Sequence, residues 1–184
     1  LDCSQPEPDS APGMIALDCE AVAASIDIGW QQLDAETPAF GYGCHYSPKS
    51  PKFSRAMALS CGSYATLFIS GTASITDSET QHEGDVEGQT HETLDNIEAL
   101  IDGPNLRRHY LPEMSSSLEQ LALARVYIKR KSDYPKVAAI CKKRMGDVPT
   151  IYAVADVCRP DLLVEIEGVA FAQRSTPGCT DGHC

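Results

Sequence analysis

The chain has 184 residues, 42% of them hydrophobic and 22% charged, a composition that suits one globular domain with extensions. Its net charge of −11 opposes phosphate backbones and sets nucleic acid aside as a partner. No apolar run approaches the roughly 20 residues of a membrane helix, and no basic, apolar-cored leader opens the chain, so no membrane partner is expected and the expected compartment is the cytoplasm.

Residues 1–40 read as an N-terminal extension of unclear structure. Its first part is an acidic, proline-punctuated arm, an apolar run follows from Met14 to Val22, and the stretch around Trp30 has no clean period. Residues 41–173 carry the regular patterns. Phe40 to Phe53 is a Gly/Pro-punctuated loop with aromatics and two lysines, the kind of long loop that is often functional. Two apolar runs after Arg55, separated by Gly62-Ser63, predict a β-hairpin ending at Gly71-Thr72-Ala73, where Gly71 would let a ligand approach the backbone.

Val86, Thr90, Thr93, Leu94, Ile97, Leu100 and Ile101 recur at helical spacing and predict a helix over 85–101, capped by Asp85 and stopped by Gly103-Pro104. Residues 103–117 read as a polar surface loop. Leu121 to Lys129 predicts a strand with Ala122, Ala124, Val126 and Ile128 on one face and Arg125, Tyr127 and Lys129 on the other. Two cations and a phenol in a row suit an anionic, planar ligand, although a solvated sheet face has the same pattern. A second helix over 133–145 has Pro135 in its first turn and Gly146 as its C-cap.

Thr150 to Phe171 then reads as two strands joined by a tight Cys158-Arg159-Pro160-Asp161 connection. Alternation puts Glu165 and Glu167 on the same face as Leu163, Val169 and Phe171. Two carboxylates on an apolar strand face are costly unless paired, solvated or used. Residues 174–184 form a Cys/Gly-containing tail. The eight cysteines make no CxxC pair, and Cys179, His183 and Cys184, which could clip a metal, sit in a Gly/Thr/Asp-rich tail, so no metal and no cofactor is expected. The element order β-β-α-β-α-β-β is that of an α+β domain, a mixed sheet with two helices packed on one face.

That order carries a resemblance. L-F-I-S-G-T-A-S-I, the helix with Gln89, Thr93 and Asn96, L-E-Q-L-A-L-A-R-V-Y-I-K and L-V-E-I-E-G-V-A together resemble the YjgF/RidA (endoribonuclease L-PSP-like) family over about residues 55–173. The resemblance implies a chorismate mutase-like fold and a homotrimer with ligand sites between subunits. It also implies enamine or imine hydrolysis as one activity. Y-S-P-K-S-P-K-F-S-R-A, G-D-V-x-x-Q-T-x-E-T and D-V-C-R-P-D-L-L-V-E-I-E-G are closer still to the C-terminal half of chorismatases, which split pyruvate from the enolpyruvyl ether of chorismate. Chorismatases have two such subdomains, and this chain has room for one. The carboxylate-gripping arginine of RidA deaminases falls on Thr150, and Lys49 and Lys129 stand where chorismatases usually carry arginine.

Cleaving a vinyl ether requires protonating its methylene carbon, so the acid must stay neutral near pH 7. Glu165, beside Leu163 and a second carboxylate, has the surroundings for that, and the resemblance selects the same residue. Tyr46, Arg55, Arg125, Tyr127 and Lys129 are candidates to hold the carboxylates and hydroxyls of a small anionic metabolite. Gly71, Thr72 and Ala73 would line the floor, and the resemblance makes Cys158 a residue that shapes the pocket. Three readings stand: a chorismatase-like hydrolase or lyase, a RidA-type deaminase, and a non-catalytic trimer that binds a small acid.

Overall fold

The computed structural model of the chain describes residues 28–34, 53–76 and 78–174. In chain order the strands begin with β1 (Ile28–Leu33), β2 (Ala56–Cys61) and β3 (Tyr64–Thr72), followed by a small separate hairpin of β4 (Ile75–Thr76) and β5 (Glu79–Thr80). Helices α1 (Val86–Ile101) and α2 (Gly103–Arg108) lead to β6 (Met114–Ser115) and β7 (Leu121–Ile128). Helix α3 (Tyr134–Met145), β8 (Thr150–Val154) and β9 (Val164–Arg174) complete the fold.

The main sheet runs β1-β2-β3-β9-β7-β8, with β6 pairing the last residues of β9. Every pair is antiparallel except β7–β8, whose parallel register requires a crossover, and α3 supplies it. The long central strand β9 is sandwiched between β3 and β7, so its side chains face neighbours from both.

Alternation decides which face is buried. Along β9 Val164, Ile166, Ala170 and Ala172 point inward, joined by Leu67 and Ile69 of β3 and Ala124, Val126 and Ile128 of β7. Against them lie Leu94, Ile97 and Ile101 of α1 and Val137, Cys141 and Met145 of α3, each nearly inaccessible. This two-layer packing is the expected α+β arrangement. Asp85 caps α1 by accepting a 3.1 Å bond from the Glu87 amide, and Gly146 ends α3 with φ of 68°, a value that favours glycine.

Three expectations need correction. The Trp30 stretch is not part of an extension: β1 pairs along its whole length with β2, so the sheet begins inside residues 1–40. Residues 103–117 are not all loop: the first helix ends at Ile101 as expected, but Asp102 accepts from the Asn105 amide and caps a second, short helix with proline in its first turn. Finally, β8 and β9 are not a hairpin. β7 lies between them, and residues 155–163 cross its end. The apolar run 14–22 and the cysteine-bearing tail lie outside the described residues.

Gly168 marks a tight point in this sheet. The β7–β9 register shifts between Leu121 and Leu123, and a Cβ at Gly168 would stand 2.9 Å from the Leu123 carbonyl oxygen. Backbone cannot move aside as a side-chain tip can. Gly168→Ala is therefore expected to destabilise the fold by about 1–3 kcal/mol, measured by denaturant unfolding.

Candidate active site

The alternation that buries one face of β9 places Glu165, Glu167, Val169 and Phe171 on the other. Cross-strand register sets Tyr127 opposite Glu165 and Arg125 opposite Glu167. The two carboxylates then take different partners. Glu167 accepts a 2.6 Å hydrogen bond from the Tyr127 hydroxyl and pairs at 2.5 Å with Arg125 Nε. It is a satisfied anion on a half-open sheet surface.

Glu165 is different. β3 departs from regular pairing between Ile69 and Thr72, so that Ser70 and Gly71 together face the single residue Glu167 of β9. This bulge brings the Gly71 backbone beneath the Glu165 side chain. A Cβ at Gly71 would collide with Glu165 Oε1 and lie 2.9 Å from Cδ, so only glycine leaves the carboxyl its place. Burial raises the Glu165 pKa above the ordinary carboxylate value, and the Glu167 charge adds to the rise. Arg55 opposes it but does not cancel it.

Arg55, at the entrance to β2, is itself largely removed from water, and that burial lowers its pKa against the opposing pull of Asp34. The fields of Arg159, Cys158 and Glu165 also reach it. Arg55 also stacks over the Phe53 ring at 5.3 Å. Cys158 reaches the surface, yet partial burial of its thiol and the nearby Glu165 charge push its pKa up. That is the environment of a thiol that fills space, not of an activated thiolate. Glu165, Gly71, Arg55, Cys158 and Arg159 thus converge, from β9, β3, the start of β2 and the 155–163 crossing loop.

Other candidates fall elsewhere. Thr72 and Ala73 are buried: the Thr72 hydroxyl donates to the Ser70 carbonyl at 3.0 Å, and Ala73 packs with Val157 and Leu162. Lys129 turns its ammonium to the crossing loop, donating to the carbonyls of Arg159 (3.2 Å) and Pro160 (3.0 Å) and pairing with Asp156 at 3.3 Å. Arg125 is committed to Glu167. Tyr46 lies outside the described residues. Two residues absent from the sequence-based set stand out, Arg159 and Gln89. Arg159 donates to the Ser78 carbonyl at 2.9 Å and to the Thr80 hydroxyl at 3.3 Å, pinning the β4–β5 hairpin to the loop. Its only sequence signal was its place in the Cys-Arg-Pro-Asp break. A broad cleft of about 710 Å³ at the far end of β9, lined by Tyr64, Phe171 and Arg174 among others, contains none of these groups.

The family model for Endoribonuclease L-PSP matches residues 48–172. The chain belongs to the endoribonuclease L-PSP family. Within this family it is 42% identical over 141 residues to a 3-hydroxybenzoate synthase of Streptomyces hygroscopicus, covering 74% of this chain and 41% of that protein. A crystal structure of a chorismatase superposes with a TM-score of 0.73 at 35% identity, over 77% of this chain and 44% of that one. The chain spans about two fifths of the length of that synthase and of two further curated relatives that it matches, both chorismatases. A YjgF/YER057c/UK114 family member from Mycobacterium tuberculosis shares the fold at a TM-score of 0.52 and 20% identity, and 99% of that chain is covered. The L-PSP fold is thus the single α+β unit described above, and the first two matches each contain more than this unit.

Proposed function

We propose that this chain hydrolyses the enolpyruvyl ether of chorismate or a close relative, with Glu165 as the acid. The observation that carries the reading is the Glu165 carboxyl, held above the usual carboxylate range by burial over Gly71 and flanked by Arg55. Likeness to a 3-hydroxybenzoate synthase and to chorismatases supports a chorismate-related substrate.

The neutral carboxylic acid delivers its proton to the terminal methylene carbon of the vinyl ether. The ether oxygen donates electron density to the substituted carbon, giving an oxocarbenium centre, and the Glu165 carboxylate left behind stabilises that positive charge. Water adds to the centre and loses a proton, and the resulting hemiketal collapses to pyruvate and the ring alcohol. Arg55, a fixed cation at the mouth of β2, is placed to hold a substrate carboxylate.

A homotrimer is the assembly this reading calls for. Tyr64, Phe68, Ile151 and Phe171 are each more than two fifths exposed, on strands β3, β8 and β9 of the sheet face opposite the helices. A second copy covering that face would also close the side of the site that the single chain leaves open. Sedimentation analysis checks the assembly, with a monomer as the contrary result.

The activity test is pyruvate release from chorismate by the purified chain, coupled to a lactate dehydrogenase. Absence of pyruvate overturns the assignment. Imine hydrolysis, the reading with a RidA-type deaminase, lacks support from β8, where Thr150 spends its hydroxyl on the Val148 carbonyl. The pH profile gives a further check. Protonated Glu165 is lost as pH rises through its pKa, and the Glu167 charge holds that pKa up. In Glu167→Gln the alkaline limb of kcat is therefore expected to move to lower pH.

A further inference from the structure

The crossing loop 155–163 is held in a way that packing alone does not require. It leaves the edge strand β8, passes over the end of β7 and enters β9 just before Glu165, carrying Cys158 on the way. Such a connection has many conformations available to it, and a site built on it needs them removed. Backbone bonds tie its two ends to β7, through Ala155 N to the Ile128 carbonyl at 3.1 Å and Lys129 N to the Leu163 carbonyl at 2.9 Å, and Leu162 N to the Arg159 carbonyl at 3.3 Å closes a turn within it.

Arg159 ties the middle to the β4–β5 hairpin, and two side chains reach it from outside the loop. Gln89 of α1 is fully buried, and its amide is used on both sides. Its Nε2 donates to the Asp161 carbonyl at 2.9 Å and to the His82 carbonyl at 3.3 Å, and its Oε1 accepts from Leu163 N at 2.7 Å. A buried primary amide is costly unless its donors and acceptor are all used, whereas the neighbouring buried Thr90 and Thr93 hydroxyls bond within the helix itself. Two of its three bonds go to the loop, one of them to Leu163, two residues before Glu165. From the other direction Lys129 places its ammonium on the Arg159 and Pro160 carbonyls and the Asp156 carboxylate. The three donors of an ammonium match three acceptors on consecutive turns of one loop.

We propose that Gln89 and Lys129 are positioning residues for the reaction at Glu165: they latch the 155–163 loop from the helix layer and from β7, and so set where Cys158 and the Glu165 carboxyl stand. Neither touches the reacting atoms. The kinetic part rests on the proposed hydrolysis; the structural part does not. Lys129 is thereby a residue of the loop and not a ligand for the substrate.

The test uses the full chain and two variants, Gln89→Met, which keeps the length and removes the amide, and Lys129→Met, whose side chain is near the surface and leaves the core intact. Amide hydrogen exchange of peptides spanning 155–165 and 56–69 reads the latch, and site-resolved alkylation of Cys158 by iodoacetamide reads the loop. Exchange in 155–165 is expected to quicken roughly tenfold, the loss of one buried hydrogen bond, with 56–69 unchanged and Cys158 alkylated faster. With chorismate, kcat is expected to fall on the order of 10²-fold with little change in KM. Lys129→Arg, which retains donors, is expected to recover part of the loss. If wild type releases no pyruvate, the hydrolysis fails while exchange and alkylation still decide the latch. Wild-type exchange and alkylation in both variants overturn it, as does a uniform rise across both peptides. Should Gln89→Met not fold, Lys129→Met decides alone.

Discussion

Glu165→Gln is expected to lower kcat for pyruvate release by about 10²–10⁴-fold, the usual contribution of a positioned general acid. The amide keeps the shape of the side chain and can still donate a hydrogen bond, but it has no proton to give to carbon. Binding should survive, because the group removed is not the one that holds the substrate carboxylates. Stability should move in the opposite direction from activity. A carboxyl whose pKa is raised on folding contributes stability that is present at low pH and lost as pH rises through the folded value. The wild-type chain thus carries a disfavoured charge above that raised pKa and none below it. The glutamine variant is expected to melt higher than wild type on the alkaline side of that pKa, with the gap closing as the pH falls below it. Calorimetry at several pH values and a pyruvate assay separate the two effects. A variant that keeps wild-type activity would exclude Glu165 as the acid, and one that melts in parallel with wild type at every pH would exclude its raised pKa.

Much of the fold could be read from the sequence because its elements have strong periods. The 85–101 helix, the hairpin after Arg55 and the β7 alternation all stand where burial of one face demands them. Elements without contrast were hidden. β1 lies in a stretch where polar and apolar residues do not alternate cleanly, and its pairing with β2 is a fact of the sheet, not of the local sequence. The pairing of β9 between β3 and β7 is also non-local, so two adjacent apolar runs looked like a hairpin and are not one.

At the site, β9 alternation placed both glutamates correctly on one face, and the structure separates them by their neighbours. What strand periodicity cannot give is the reach of a long side chain. Lys129 follows β7 in register with Arg125 and Tyr127, yet its four-carbon stem carries the ammonium to a loop that only tertiary structure brings near. Arg159 and Gln89 were hidden for a similar reason. Each makes bonds to residues more than 70 positions away, so the sequence, which showed Arg159 in a break and Gln89 in a family motif, did not show what they hold.

Gly71→Ala tests the geometry of the site from below. Its φ is not in the left-handed region, so the backbone would accept alanine, and only the Glu165 carboxyl stands in the way. The obstacle is the far end of a flexible side chain, which can swing aside at small cost. The variant is therefore expected to fold, with a destabilisation of about 1–3 kcal/mol at most. Swinging aside moves the acid by about the distance that costs catalysis most, and kcat is expected to fall on the order of 10²-fold. The two substitutions should not add. In Gly71→Ala/Glu165→Gln the acid is already gone, so the second change has nothing left to displace, and the double variant should match Glu165→Gln alone. Additive losses would mean that Gly71 serves the site by its own backbone contacts with substrate, and not by making room for Glu165.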